Sequence, residues 1–172
     1  IHLGLIDSAD SRNFDTAATR AEAFVLIARA FAYDRAEAAA DELSAFQDTG
    51  SMTAEQRQAA AALLSCGIVK GSSAGRLSPD RSLTRAEFVT MLLRIAPVFP
   101  GAEDDLSALT GGALFTAPTV SLSGNTLAGD CVFAVPAADI TLSGITAGSR
   151  RVVLKGAEDA VLRVQNDSTL SA

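Results

Sequence analysis

The chain repeats itself at two lengths, and a repeated stretch must fit the same local structure each time it occurs. The longer repeat sets "AATRAEAFVLIARAF", residues 17–31, beside "SLTRAEFVTMLLRI", residues 82–95. Their Thr-Arg-Ala-Glu cores begin at Thr19 and Thr84, 65 residues apart. Upstream, Gly4-Leu5-Ile6 stands fifteen positions before Thr19 and Gly67-Ile68-Val69 seventeen before Thr84. Each copy therefore reads as Gly with two aliphatics, a polar loop, then a helix. The shorter repeat lies further on. "VSLSGNT" from Val120 and "ITLSGIT" from Ile140 are twenty positions apart, and "VLRVQND" from Val161 follows twenty-one later. Between them, "CVFAV" at 131–135 and "RVVLK" at 151–155 are again twenty apart.

The two periods predict two kinds of structure, an α+β chain with helical repeats first and a short β-solenoid, parallel-β-helix-like, after them. In the first part, Phe88, Met91, Leu92 and Ile95 recur at helical spacing and predict one core-facing stripe, as do Phe24, Ile27, Ala28 and Phe31. A further helix is predicted over Thr53–Ser65, opened by a Thr53/Gln56 capping box, lined by Ala59, Ala60, Leu63 and Leu64, and closed by Gly67. The expected organisation is helical repeats over 1–99, with a partial copy at 1–33 and a full one at 46–95, a Pro- and Gly-rich linker over 100–118 and a strand domain over 119–172. A short helix is expected near Asp104–Leu109 within that linker. Alternating strands with Gly at the corners and a fixed period suit stacked rungs, with an antiparallel meander as the alternative. An open last rung near Val161–Leu170 would need a cap, a continuation, or self-association through its edge.

Composition removes several functions. A net charge of -6 gives no bulk positive potential for DNA or an anionic membrane, so any anion site must be local. The single His, His2, offers no material for a zinc site or a His-based triad. No metal and no cofactor are expected, and no apolar run reaches the length of a membrane span. A targeting signal would lie outside the sequence given. Cys66 and Cys131 sit in apolar surroundings and are expected to be buried free thiols. Asp7, Asp10 and Asp15 are too irregularly spaced for a calcium loop and are read as a solvated one.

The Thr-Arg-Ala-Glu cores combine two chemistries. Thr84 with Glu87, and Thr19 with Glu22, have the spacing of a capping box. Arg85 and Arg20 do not serve helix starting, because a cation in the first turn opposes the macrodipole. Beside unbonded first-turn amides, however, an Arg fork suits a carboxylate or phosphate. The plain alternative is an Arg that covers apolar surface with its stem or pairs with an acid such as Asp80.

"FQD" at 46–48, "GIVKG" at 67–71, "GRLSPDRSLTRAEF" at 75–88 and the closing "MLLRI", taken in that order, resemble the S-layer homology repeat. The resemblance covers residues 46–95, with residues 1–33 similar to the second half of a preceding copy. It implies a secreted module of the bacterial cell surface that binds a secondary cell-wall polysaccharide, often one bearing pyruvate ketals, or a peptidoglycan-linked glycan. It also implies that Arg85 and Arg20 contact the polymer and that Gly67 and Gly71 shape its groove. The sequence departs from the family in having one and a half copies where three are common, in Leu77 where an aromatic is usual, and in lacking Trp.

The reading these features support is a non-catalytic surface-attachment protein carrying a solenoid stalk, and not an enzyme. The alternatives are a self-assembly scaffold that binds no glycan and the anchor fragment of a polysaccharide-acting enzyme. Catalysis within the strand half is disfavoured because Asp130, Asp139, Glu158, Asp159 and Asp167 do not recur at matching positions as a flanking pair.

Overall fold

In the computed structural model, which describes residues 15–35, 40–100, 109, 111–156 and 159–170, each α-helix begins where a Thr precedes a Glu or Gln by three residues. The helices are α1 (Arg20–Ala30), α2 (Ala54–Ser65) and α3 (Arg85–Ile95), with 3-10 turns at Tyr33–Arg35 and Ala40–Leu43. The chain divides into two compact units, Ile1–Leu92 and Leu93–Ala172. Residues 1–14, including the Gly4-Leu5-Ile6 stretch, Asp7 and Asp10, lie outside the described residues.

α2 shows how local signals fix an element. The Thr53 hydroxyl accepts from the Gln56 amide at 3.2 Å and the Gln56 side chain accepts from the Thr53 amide at 2.9 Å. At the other end, Gly67 adopts φ +69, its amide donates to Leu64 O and the Ile68 amide donates to Leu63 O. This pair of bonds closes the helix in a Schellman turn, whose left-handed residue strains any side chain but glycine's absent one. α1 packs on α2, and their buried residues are Phe24, Ile27 and Ala28 on one side and Ala59, Ala60 and Leu63 on the other. The small Ala side chains let the two helices approach closely.

Two expectations need correction here. Cys66 is exposed, because the Schellman turn holds residues 65–67 outward and turns Ile68 and Val69 into the core. On α3, Met91 and Ile95 are buried but Leu92 is half-buried and Phe88 is 39% exposed, so the predicted stripe is only partly covered.

The second unit contains β1 (Ala113–Phe115), β2 (Thr119–Ser123), β3 (Cys131–Phe133), β4 (Asp139–Ser143), β5 (Thr146–Gly148), β6 (Val152–Leu154), β7 (Val161–Gln165) and β8 (Thr169–Leu170). They form small sheets ordered β1-β3-β6, β2-β4-β7 and β5-β8. Every one of these pairings is parallel, so the antiparallel meander is not what the described strands form. Register follows the sequence period: Val120 lies opposite Ile140 and Ile140 opposite Leu162, while Leu122, Leu142 and Val164 make a second row. Phe115 and Phe133, also register partners, stack with ring centroids 4.6 Å apart. β1 falls within residues 100–118, read from the sequence as a linker, and of the helix expected at 104–109 only Leu109 is described.

The corners repeat as the strands do. Gly124 and Gly144 have φ of +67 and +63, and the next corner uses Asn166 at +51, a residue that tolerates the left-handed region. Burial does not repeat. Ile140 and Leu142 are covered, whereas Leu162 and Val164 in the last strand of that sheet are 36% and 46% exposed.

Candidate functional site

At the start of α1, every first-turn donor has a partner within the protein. Thr19 and Glu22 form a reciprocal capping box, with the Glu22 carboxylate accepting from the Thr19 amide at 2.7 Å. The Arg20 amide donates to Arg81 O and the Ala21 amide to Pro79 O, while the Leu83 amide donates back to Ala18 O. The segment Pro79–Leu83 thus lies across the helix start, with Thr19 bridging to Ser82.

The Arg20 side chain goes to the same place. It is buried, its Nε donates to Leu77 O at 3.0 Å, and its guanidinium pairs with Glu87 at 3.2 Å and lies over the Phe24 ring. Burial lowers its pKa, and Glu87 opposes that effect. Arg20 therefore ties α1 to the loop and helix of the second copy, and its fork faces inward. Glu87 gathers a second cation, Arg81, besides the Thr84 amide and hydroxyl. Donation from Arg81 and then from Thr84 holds its carboxyl at about 2, well below the ordinary 4.5.

α3 opens on the same motif in a different setting. Thr84 and Glu87 cap each other, and the Phe88 amide donates to Thr84 O. Arg85 is exposed, and among the described residues its guanidinium has no hydrogen-bond or ion-pair partner; Asp80 is bonded to Ser51 instead. The Arg85 and Ala86 amides, whose counterparts in α1 meet Arg81 O and Pro79 O, have no protein acceptor among the described residues. A free fork beside two free helix-start amides is an arrangement that takes an anion.

The two glycines play separate parts. Gly67 is the left-handed residue of the α2 turn, in open space, and Gly71 lets the Phe46 ring pass, since a Cβ there would lie 2.0 Å from its Cε1. Asp48, the last residue of the Phe46–Asp48 stretch, is a structural member of the site that no sequence pattern assigns. Its carboxylate accepts from the Leu77 and Ser78 amides, both at 2.9 Å, and so presents Leu77 O to Arg20. Burial raises the Asp48 pKa, but the amide bonds outweigh it and leave the group below its ordinary value. The only available signal was the position of Asp48 ahead of a Gly-rich loop that needs an acceptor.

Other chemistry is sparse. Cys131 is buried, and burial followed by the nearby Asp130 pushes its thiol up to about 11, far from a reactive thiolate. Asp130 pairs with Arg151 and Asp139 with Arg163. Among the described residues no cluster of His, Cys, Asp and Glu could hold a metal ion, and no helix is long and apolar enough to cross a membrane. A cavity of about 20 Å³ beside the Arg29–Glu55 ion pair has room for about one water.

Residues 45–89, which contain Asp48, the Gly67–Gly71 turn and the helix start at Thr84, match the family model described as the S-layer homology domain. This stretch of the chain is similar to the S-layer homology domain. Domains of this kind anchor proteins at the cell wall and surface, typically through secondary cell-wall polymers, and are not catalytic. The S-layer homology match takes in the Arg85 helix start and stops short of α1, the helix seated against it. No match was found among curated proteins or among solved structures.

Proposed function

We propose that the chain is a non-catalytic cell-surface attachment module that takes an anionic secondary cell-wall polysaccharide at the start of α3. The observation that carries this reading is Arg85: exposed, without a protein partner among the described residues, and flanked by the open amides of Arg85 and Ala86. A carboxylate such as that of a pyruvate ketal has the charge and the two oxygens this arrangement asks for. Arg20, engaged with Leu77 O and Glu87, serves the site by positioning the loop beside it, and Gly67 and Gly71 shape the polymer's groove in this proposal.

The strand half is the stalk in this proposal, a short β-solenoid over 119–172 joined through 100–118 to the helical part over 1–99. Parallel pairing at a period near twenty supports it, and the exposed Val161, Leu162 and Val164 support self-association through its open edge. The ion pairs of Asp130 and Asp139 with arginines favour a structural role for these acids over a catalytic one. The site of action is the extracellular wall.

The test compares binding of wild type and Arg85→Ala to purified sacculi, with and without the secondary polymer, at constant salt. Binding that needs the polymer and fails in the variant, with helix content unchanged, is the expected result. Binding that survives loss of Arg85, or of the polymer, overturns the proposal.

A further inference from the structure

The 65-residue period pairs α1 with α3 position by position, and what covers the two helices differs. Ala23 is 3% and Phe24 0% exposed, while their counterparts Phe88 and Val89 are 39% and 50% exposed. Arg20 is buried on Glu87 and Leu77 O, while its counterpart Arg85 is exposed. α1 has its seat, built from α2 and the loop from Leu77 to Leu83. α3 carries Phe88 and Val89 at two of the same positions and the same donors at its start, and among the described residues these lack the cover that α1 has.

The chain also holds a carboxylate of matching kind. Glu22 is the period counterpart of Glu87, and among the described residues it accepts only from the Thr19 amide. Glu87, by contrast, accepts from Thr84, Arg81 and Arg20. One motif cation and one motif carboxylate are thus left over, and they do not pair with each other within the chain.

We propose that the start and exposed face of α3 dock a second copy of this chain, Arg85 of one copy pairing with Glu22 of the other as Arg20 pairs with Glu87 inside one. Charge complementarity selects the copy, and the exposed Phe88 and Val89 need an apolar protein surface that a sugar acid alone does not offer. The contact is head-to-tail, since different surfaces of the two copies meet. A docked copy occupies the Arg85 fork, so it and a wall polymer exclude one another there. The inference stands without the polymer reading, because association itself is measured with no polymer present.

Sedimentation velocity of the full chain across a concentration series, with no polymer present, supplies that test. Wild type is expected to rise above the mass of one chain. Arg85→Glu and Glu22→Gln are each expected to associate less than wild type at equal concentration, and the Gln keeps the helix cap as Gln56 does at Thr53. Mixing Arg85→Glu with Glu22→Arg is expected to restore association by exchanging the charges. Wild type that stays single at every concentration overturns the proposal, and so does association unchanged in either Arg85→Glu or Glu22→Gln. Phe88→Ser is expected to weaken association while sacculus binding persists, which separates failure of this contact from failure of polymer attachment.

Discussion

Arg20 reaches 57 positions along the sequence to the Leu77 carbonyl, and no local pattern could name that acceptor. The capping partners were legible because Thr and Glu three residues apart define their own geometry; the side chain between them was not, because its partner depends on what lies across the helix start. The difference should appear in stability. Arg20→Ala strands Leu77 O and removes one cation from Glu87, and is expected to cost about 2 kcal/mol, toward the low side for a buried pair because Glu87 is partly exposed. Arg85→Ala is expected to change stability by less than about 0.5 kcal/mol. Urea unfolding followed by helix ellipticity measures both. Glu87 adds a pH dependence. Its folded pKa, about 2, lies below the ordinary 4.5, so its stabilisation is complete above 4.5 and is lost as the pH falls through about 2. Glu87→Gln is therefore expected to be less stable than wild type near neutrality, with the gap closing over that acid range in unfolding curves taken at successive pH values.

Among the elements, what the sequence made readable was period and what it hid was cover. The strands at 119–123, 139–143 and 161–165 were legible because equal spacing and alternation coincide, whereas β1, β5 and β8, of three, three and two residues, take their conformation from the strands beside them. A helical stripe likewise reports that a face is apolar and says nothing of whether a neighbour exists, which is why Phe88 was expected inside and Phe24 alone is fully buried. In the β2-β4-β7 sheet, Leu142 is covered from both sides and Val164 from one. Leu142→Ala is accordingly expected to cost about 2–5 kcal/mol and Val164→Ala less than about 1. Denaturant midpoints for the strand unit compare them, and equal losses would mean that Val164 is covered in solution.

At the scale of the whole chain, the two periods belong to two units with separate cores, and that division was visible as a change of grammar between residues 97 and 118. The candidate site was legible as a motif and illegible as a place, since both arginines read alike and only one remains open. The seat of α1 holds a wider consequence. The first motif helix rests on the second copy's helix and loop, so the stretch that repeats and the stretch that packs are out of step. A row built on that rule works like a row of clasps, each closed by the next, and always ends with one clasp undone. Adding members in line moves the undone clasp along without removing it, and only bending the row into a ring would close the last one.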